Sequence, residues 1–405
     1  MQRLTTWYKT GTAQEKGGRV PPLDGLRFLM VFSVAMFHLW QQSWLFLDFT
    51  FLGVSVSLTP WLKTGYMWVD GMLLLSGFLL YLPIARAREI NRAAPNLKGF
   101  YRRRAARIVP TYLLNLVIVY LLVALPENRY ATAWEALRDW LAHLTFTHPL
   151  FAFSSRNTPL NGVLWTLGVE MQFYLLFPLF ARAFHRMPLF TWMLLSGVAF
   201  SFRAIAFSQP DSTMLVNQLP AFLDVYANGF LAAGVFAKLE RRYGDDGFLR
   251  AFMTMVMAAA LMGLSLLVLG QAGLQGLQAI RAGQMLRRFP QSVLTALVLI
   301  GASFGLGGVR LVLGNRVTAF LAAISYQFYM WHQVVALQMK KWRFPPSRSE
   351  TPHVAGERAW QVSYLILALV ISLIISTLIA YLAELPLARR LSPKTTGKRK
   401  GGRPI

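Results

Sequence analysis

Residues 23–47 read LDGLRFLMVFSVAMFHLWQQSWLFL. Beyond Asp24, Arg27 and His38 the stretch carries no ionisable group, and at 1.5 Å per residue it is long enough to cross roughly 30 Å of hydrocarbon. Comparable segments recur along the chain. Together they predict spans near 26–47, 66–85, 107–125, 162–183, 189–208, 220–239, 250–270, 291–309, 317–339 and 362–384. Composition agrees with that pattern. Hydrophobic residues make up 55% of the 405 residues and charged ones 14%, against roughly 25% charged in a soluble domain. The expectation is an all-α, polytopic integral membrane bundle of about ten transmembrane helices.

The charge is strongly basic, with 41 Lys and Arg against 17 Asp and Glu, a net +24. Such a balance can signal nucleic acid, but here most basic residues fall in loops and tails on one side of the predicted membrane. The positive-inside rule then puts both termini in the cytoplasm, and the excess charge reads as topology plus attraction to anionic headgroups, with no nucleic-acid partner. Residues 1–20 and 391–405 are expected to be basic cytoplasmic tails around a membrane domain at 21–390. The first apolar segment lacks a small-x-small cleavage site and is expected to stay as a helix. The stretch at 137–150, LRDWLAHLTFTHPL, is too polar for a span and reads as re-entrant or interfacial. Cysteine is absent, which excludes thiol nucleophiles, disulfides and thiolate metal sites.

Ionisable groups inside spans are costly and point to function. Here they are Arg27, His38, Asp70, Glu170, Asp224, His332 and Glu384. Arg27 and His38 are eleven positions apart, which is about 16 Å along a helix and within about 20° of three full turns. Both therefore share a face, with Arg27 at the headgroup level and His38 near mid-bilayer. A neutral imidazole there can take a proton from a hydroxyl, although a simple interhelical hydrogen bond is an equal reading. Asp70 precedes Ser76 and Gly77, whose small side chains suit close helix packing. Arg102, Arg103, Arg104 and Arg107 precede the third span, and residues 103 and 107 share a face suited to clasping phosphates. The competing reading is a topology anchor. Glu170, deep in a span, needs a partner such as a histidine or arginine. Tyr326, Tyr329 and Trp331 fit an aromatic belt, whereas His332 is harder to dismiss.

These stretches, in this order, resemble the membrane-bound acyltransferase type 3 family, bacterial enzymes that acylate sugars and other hydroxyl compounds. The likeness lies in Leu23-Asp24-Gly25-Leu26-Arg27 followed, after ten intervening residues, by His38, and in Val69-Asp70 with Ser76-Gly77-Phe78. It continues through Tyr101 to Pro110, Trp165 to Tyr174, Ile324 to His332, and Glu384-Leu385-Pro386. Met171 stands where that family usually has a second Glu, so only Glu170 can carry the carboxylate role; Met330 replaces a Leu conservatively. Some members append an extracellular SGNH hydrolase domain, which is not expected here because the chain ends shortly after its last predicted span.

The resemblance implies an O-acyltransferase of the bacterial cytoplasmic membrane. It would move an acyl group, acetyl above all, from cytoplasmic acyl-CoA to a hydroxyl of a cell-surface glycan, glycolipid or secondary metabolite, without a metal. On this reading His38 is the general base, Glu170 orients it or holds its charge, and Arg27 helps bind the donor. Arg102, Arg103 and Arg107 take CoA phosphates, while Asp24, Asp70, Ser76, Tyr174, Tyr326 and His332 support substrate or site. The rival is a secondary transporter or proton-coupled flippase relaying protons through Asp70, Glu170 and Asp224; the lack of a visible inverted repeat counts against it.

Overall fold

The computed structural model describes residues 18–92, 99–155, 158–244 and 246–391; of the expected tails at 1–20 and 391–405, residues 1–17 and 392–405 lie outside them. Its longer helices are α1 (Pro22–Ser43), α2 (Trp68–Glu89), α3 (Phe100–Val119), α4 (Ala133–Leu144), α5 (Trp165–Arg186) and α6 (Pro188–Phe207). They continue with α7 (Leu223–Tyr243), α8 (Gly247–Ala272), α9 (Leu277–Phe304), α10 (Gly307–Leu313), α11 (Arg316–Lys341) and α12 (Arg358–Ile379). Among the described residues, eight helices are long and apolar enough to cross a membrane, and nine if α9 and α10, bent by 108°, count as one span. The chain is thus a polytopic helical bundle.

Helix α11, expected as a span at 317–339, is 26 residues long but falls outside those eight. Ser325, Gln327, His332 and Gln338 are all buried along it, because α11 runs through the interior between α1 and α12. A helix sheltered by protein on both sides can carry the polar groups that lipid would not tolerate. Gln327 illustrates this, donating to the Glu384 carboxylate at 2.7 Å. Helix α8 is the opposite case: it is mostly exposed along its length and almost wholly apolar, as a lipid-facing helix must be.

The tightest seam joins α2 to α7. A Cβ on Gly229 would lie 2.5 Å from the Leu74 carbonyl and 2.9 Å from the Phe78 nitrogen, so only glycine lets the two backbones approach this closely. Around that seam Phe173 stacks on Tyr226 with ring centroids 3.4 Å apart, and Tyr81 stacks on Phe230 at 4.9 Å.

The expected loop at 271–290 is mostly helix, since α9 begins at Leu277 and carries Arg288 completely buried. Its basic residues read as loop charges in the sequence, but Arg288 pairs with Asp70 at 3.2 Å. Beside it Arg203 clasps Asp224 with two bonds of 2.9 and 2.6 Å. Both guanidiniums also donate to the Ala221 carbonyl, at 2.9 and 3.3 Å. The expected loop at 48–65 holds an antiparallel hairpin, Asp48–Phe51 with Val54–Ser57, so the fold is not purely helical. The 137–150 stretch forms most of α4, whose 12 residues rise only about 18 Å, too short to cross.

Candidate active site

A cavity of about 280 Å³ opens among α1, α2, α3, α5 and α11. Arg27 of α1, Arg104 and Arg107 of α3, Ser76 of α2, Glu170 and Tyr174 of α5, and Tyr326 and Tyr329 of α11 all line it. The three arginines form no ion pair among the described residues. Arg104 lies over the rings of Phe100 and Tyr174, at 5.8 and 5.6 Å, which orients its fork without neutralising it. One carboxylate therefore faces three cations, an imbalance that suits an anionic ligand.

Glu170 is not paired with His38 as the sequence suggested. Its Oε1 accepts a 2.7 Å hydrogen bond from Ser76 and a short one from the Tyr174 hydroxyl, one helical turn away. This also revises the packing role expected of Ser76: Gly77 takes the contact with Tyr226, and the serine hydroxyl serves the carboxylate. Arg102 and Arg103 do not line the cavity. Both are exposed, as is Arg107, and of the four arginines only Arg104 and Arg107 reach the cavity. Asp24 pairs with Arg19 at 2.6 Å, Asp70 with Arg288, and Tyr326 donates to the Ile108 carbonyl at 3.1 Å. These three hold structure around the cavity.

His38 and His332 are not among the residues lining the cavity, and their ring centroids lie 5.3 Å apart. Tyr329 adjoins both: it lines the cavity, the Thr166 hydroxyl donates to its hydroxyl at 2.8 Å, and its ring sits 5.8 Å from His332. The Nδ1 of His38 contacts Gln41 Oε1 at 3.0 Å and the Gln333 amide at 3.3 Å. Sequence reading overlooked both glutamines, although Gln41 is one turn from His38 and Gln333 adjoins His332.

A second polar cluster, overlooked in the sequence, ties α4 to the bundle. Asp139 accepts from Tyr130 at 2.7 Å, from Thr158 at 2.9 Å and from Ser154. His143 Nδ1 lies 3.2 Å from Asp139 Oδ1 and 3.3 Å from Ser154 Oγ. A serine–histidine–acid relay needs the serine on the other ring nitrogen, so this is a structural knot despite its residue types. Burial works to raise the Asp139 carboxyl, but hydrogen bonds from His143, Ser154 and Tyr130 hold it below the usual carboxylate range. His148 stacks on His143 with centroids 4.3 Å apart; burial, and then the neighbouring His143, lower its pKa to about 3.

A membrane-embedded helical bundle around an arginine-lined cavity, with paired histidines beyond it, defines a class of intramembrane enzyme rather than a soluble transferase. The acyltransferase domain family, the type 3 membrane family that the motifs resemble, matches residues 21–378, and the chain belongs to it. That places it among the transferases of acyl groups. It is similar to the peptidoglycan O-acetyltransferase OatA of Listeria monocytogenes, 30% identical over 41% of this chain and 24% of that protein. It is also similar to the acyltransferase MdmB of Streptomyces mycarofaciens, 28% identical over 50% of this chain and 48% of MdmB. The O-acetyltransferase OatA of Staphylococcus aureus matches at 27% over 40% of this chain and 24% of its own length. The chain thus spans half or less of the relatives it matches. No solved structure matches it. Among the described residues no group of three or more His, Cys, Asp or Glu could hold a metal ion.

Proposed function

We propose that the chain is an integral-membrane O-acyltransferase that takes acyl groups, acetyl foremost, from cytoplasmic acyl-CoA. The acceptor is a hydroxyl on a cell-envelope glycan, glycolipid or secondary metabolite. One observation carries this reading: Arg27, Arg104 and Arg107 line one cavity without carboxylate partners. CoA bears a pyrophosphate and a 3′-phosphate, and guanidiniums match such oxygens two at a time. Arg104 here takes the part expected of Arg102 and Arg103.

With the phosphates at that end, the pantetheine arm runs along α1 past Tyr329 and delivers the thioester to His38. His38 removes the proton of the acceptor hydroxyl, which attacks the thioester carbonyl. The bundle has about ten spans with both termini cytoplasmic in the bacterial inner membrane, so the donor enters from inside and the acceptor from outside. The similarity to OatA, an O-acetyltransferase, and to MdmB, an acyltransferase, supports acyl transfer. A proton relay through Asp70 and Asp224 is disfavoured because each is clasped by an arginine. Equilibrium binding of CoA to the purified full chain tests the reading. Wild-type protein is expected to bind CoA more tightly than dephospho-CoA, and equal binding of the two, or none, would refute it.

A further inference from the structure

We propose that His38 and His332 act as one proton-accepting pair, in which His332 is a positioning residue that shares the proton His38 takes from the acceptor. This rests on the acyl-transfer reading above.

His332 is fully buried, at 0% exposure. Its Nδ1 lies 3.1 Å from the Phe328 carbonyl. A carbonyl only accepts, so Nδ1 carries the hydrogen and Nε2 holds the lone pair. That Nε2 is buried without a hydrogen-bond partner, a condition rare in native interiors and one that calls for a reason. On the facing ring, the closest contact of His38 Nδ1 is the Gln41 Oε1 at 3.0 Å. An amide oxygen also only accepts, so this contact puts the hydrogen on Nδ1 and the lone pair on Nε2, whereas the Gln333 Nε2, 3.3 Å from the same nitrogen, would donate to Nδ1 in the other tautomer; the shorter contact selects the first.

Two neutral rings that both present lone pairs have no hydrogen to share. A single added proton changes that. An N–H···N bond of about 2.9 Å would set two imidazole centroids about 5 Å apart, and the observed 5.3 Å is close to it. The rings thus lie near the spacing that one shared proton would need, with no nitrogen–nitrogen hydrogen bond between them as they stand.

The reaction supplies that proton. The acceptor O–H gives it to His38 Nε2 while the oxygen forms a C–O bond to the thioester carbonyl. The tetrahedral intermediate then breaks its C–S bond, and the departing thiolate takes the proton back. In between, an imidazolium sits inside the bundle and needs a partner. Glu170 is not that partner, being held by Ser76 and Tyr174. The His332 lone pair is the group positioned to accept from it.

The test uses the full chain in lipid vesicles, with labelled acetyl-CoA as donor and envelope-glycan extract as acceptor, on wild type, His332→Phe, His332→Gln, His38→Ala and the His38→Ala/His332→Phe double variant. His332→Phe is expected to lower kcat about 100-fold, in the range of general-base effects, with both KM values within about twofold. His332→Gln, whose amide oxygen can accept from imidazolium, should keep about a tenth of the activity. The double variant should be no slower than His38→Ala alone, because residues acting as a unit are non-additive. A His332→Phe enzyme with near wild-type kcat, or losses that multiply in the double variant, would overturn the pairing alone. If wild-type vesicles transfer nothing, or His38→Ala is fully active, the acyl-transfer reading falls and the pairing with it.

Discussion

The Ser76 hydroxyl donates a 2.7 Å hydrogen bond to the Glu170 carboxylate, joining α2 to α5 inside an arginine-lined cavity. That bond keeps the one carboxylate of the cavity turned to hydroxyls, so the guanidiniums stay open to an incoming anion. Ser76→Ala removes one of the two donors and lets the carboxylate swing toward Arg27 or Arg104. The apparent KM for acyl-CoA should then rise several-fold with kcat little changed. Adding Glu170→Gln should reverse part of that rise, because an amide has no charge to collapse onto the arginines. Steady-state kinetics with donor varied separately would detect both effects, and an unchanged KM in Ser76→Ala would contradict them.

Arg104 and Arg107 face the cavity, whereas Arg102 and Arg103 point away from it. Hydrogen bonds to charged groups contribute roughly 1.5–3 kcal/mol, so Arg104→Gln or Arg107→Gln should raise the KM for acyl-CoA about 10–100-fold. Lysine at these sites should rescue only part, since it offers a point charge without the fork. Arg102→Gln and Arg103→Gln should leave that KM within about twofold, well below the effect of losing a charged hydrogen bond.

The buried ion pairs predict a stability effect instead. Breaking one by removing a single partner typically costs about 3–5 kcal/mol. Asp224→Asn should therefore lower the thermal midpoint of the detergent-solubilised protein sharply, whereas replacing Arg203 and Asp224 together by apolar residues should restore much of it. Equal melting of the single and double variants would argue against a structural role.

The α4 knot should weaken in acid. His148, lowered to about 3 in the folded chain, would take a proton near 6.5 when unfolded. Its contribution to stability is full above about 6.5 and lost progressively as pH falls toward 3. Asp139, held below its ordinary value, adds a further loss at the acid end of that window. Hydrogen-exchange protection across residues 133–155, taken relative to the intrinsic rate at each pH, should fall between pH 7 and pH 4 in wild type. In His148→Phe that pH response should be flatter.

Much of this was legible in the sequence, for identifiable reasons. Apolar run lengths located most of the long apolar helices, and the Arg27–His38 spacing put both side chains on one face of α1. Helix α11 satisfied the same run-length reading but serves as an interior helix, because its glutamines meet partners that only tertiary structure supplies. Arg288 looked like a loop charge because Asp70, its partner, lies more than two hundred residues away in sequence. The Glu170 assignment failed similarly: a carboxylate in a span signals that a partner exists, but two hydroxyls satisfy it as well as an imidazole. Of the arginines before the third span, Arg107 lines the cavity but Arg104 does so where Arg102 and Arg103 were expected, because a dense run of arginines does not itself show which helix face turns inward.

The central claim, acyl transfer through His38, is tested most directly by mass spectrometry of envelope glycans and lipids from cells carrying either the wild-type chain or His38→Ala at equal abundance. The account predicts one or more species that bear an acetyl increment with the wild type and lose it with His38→Ala. An acetylation pattern identical in the two would contradict it.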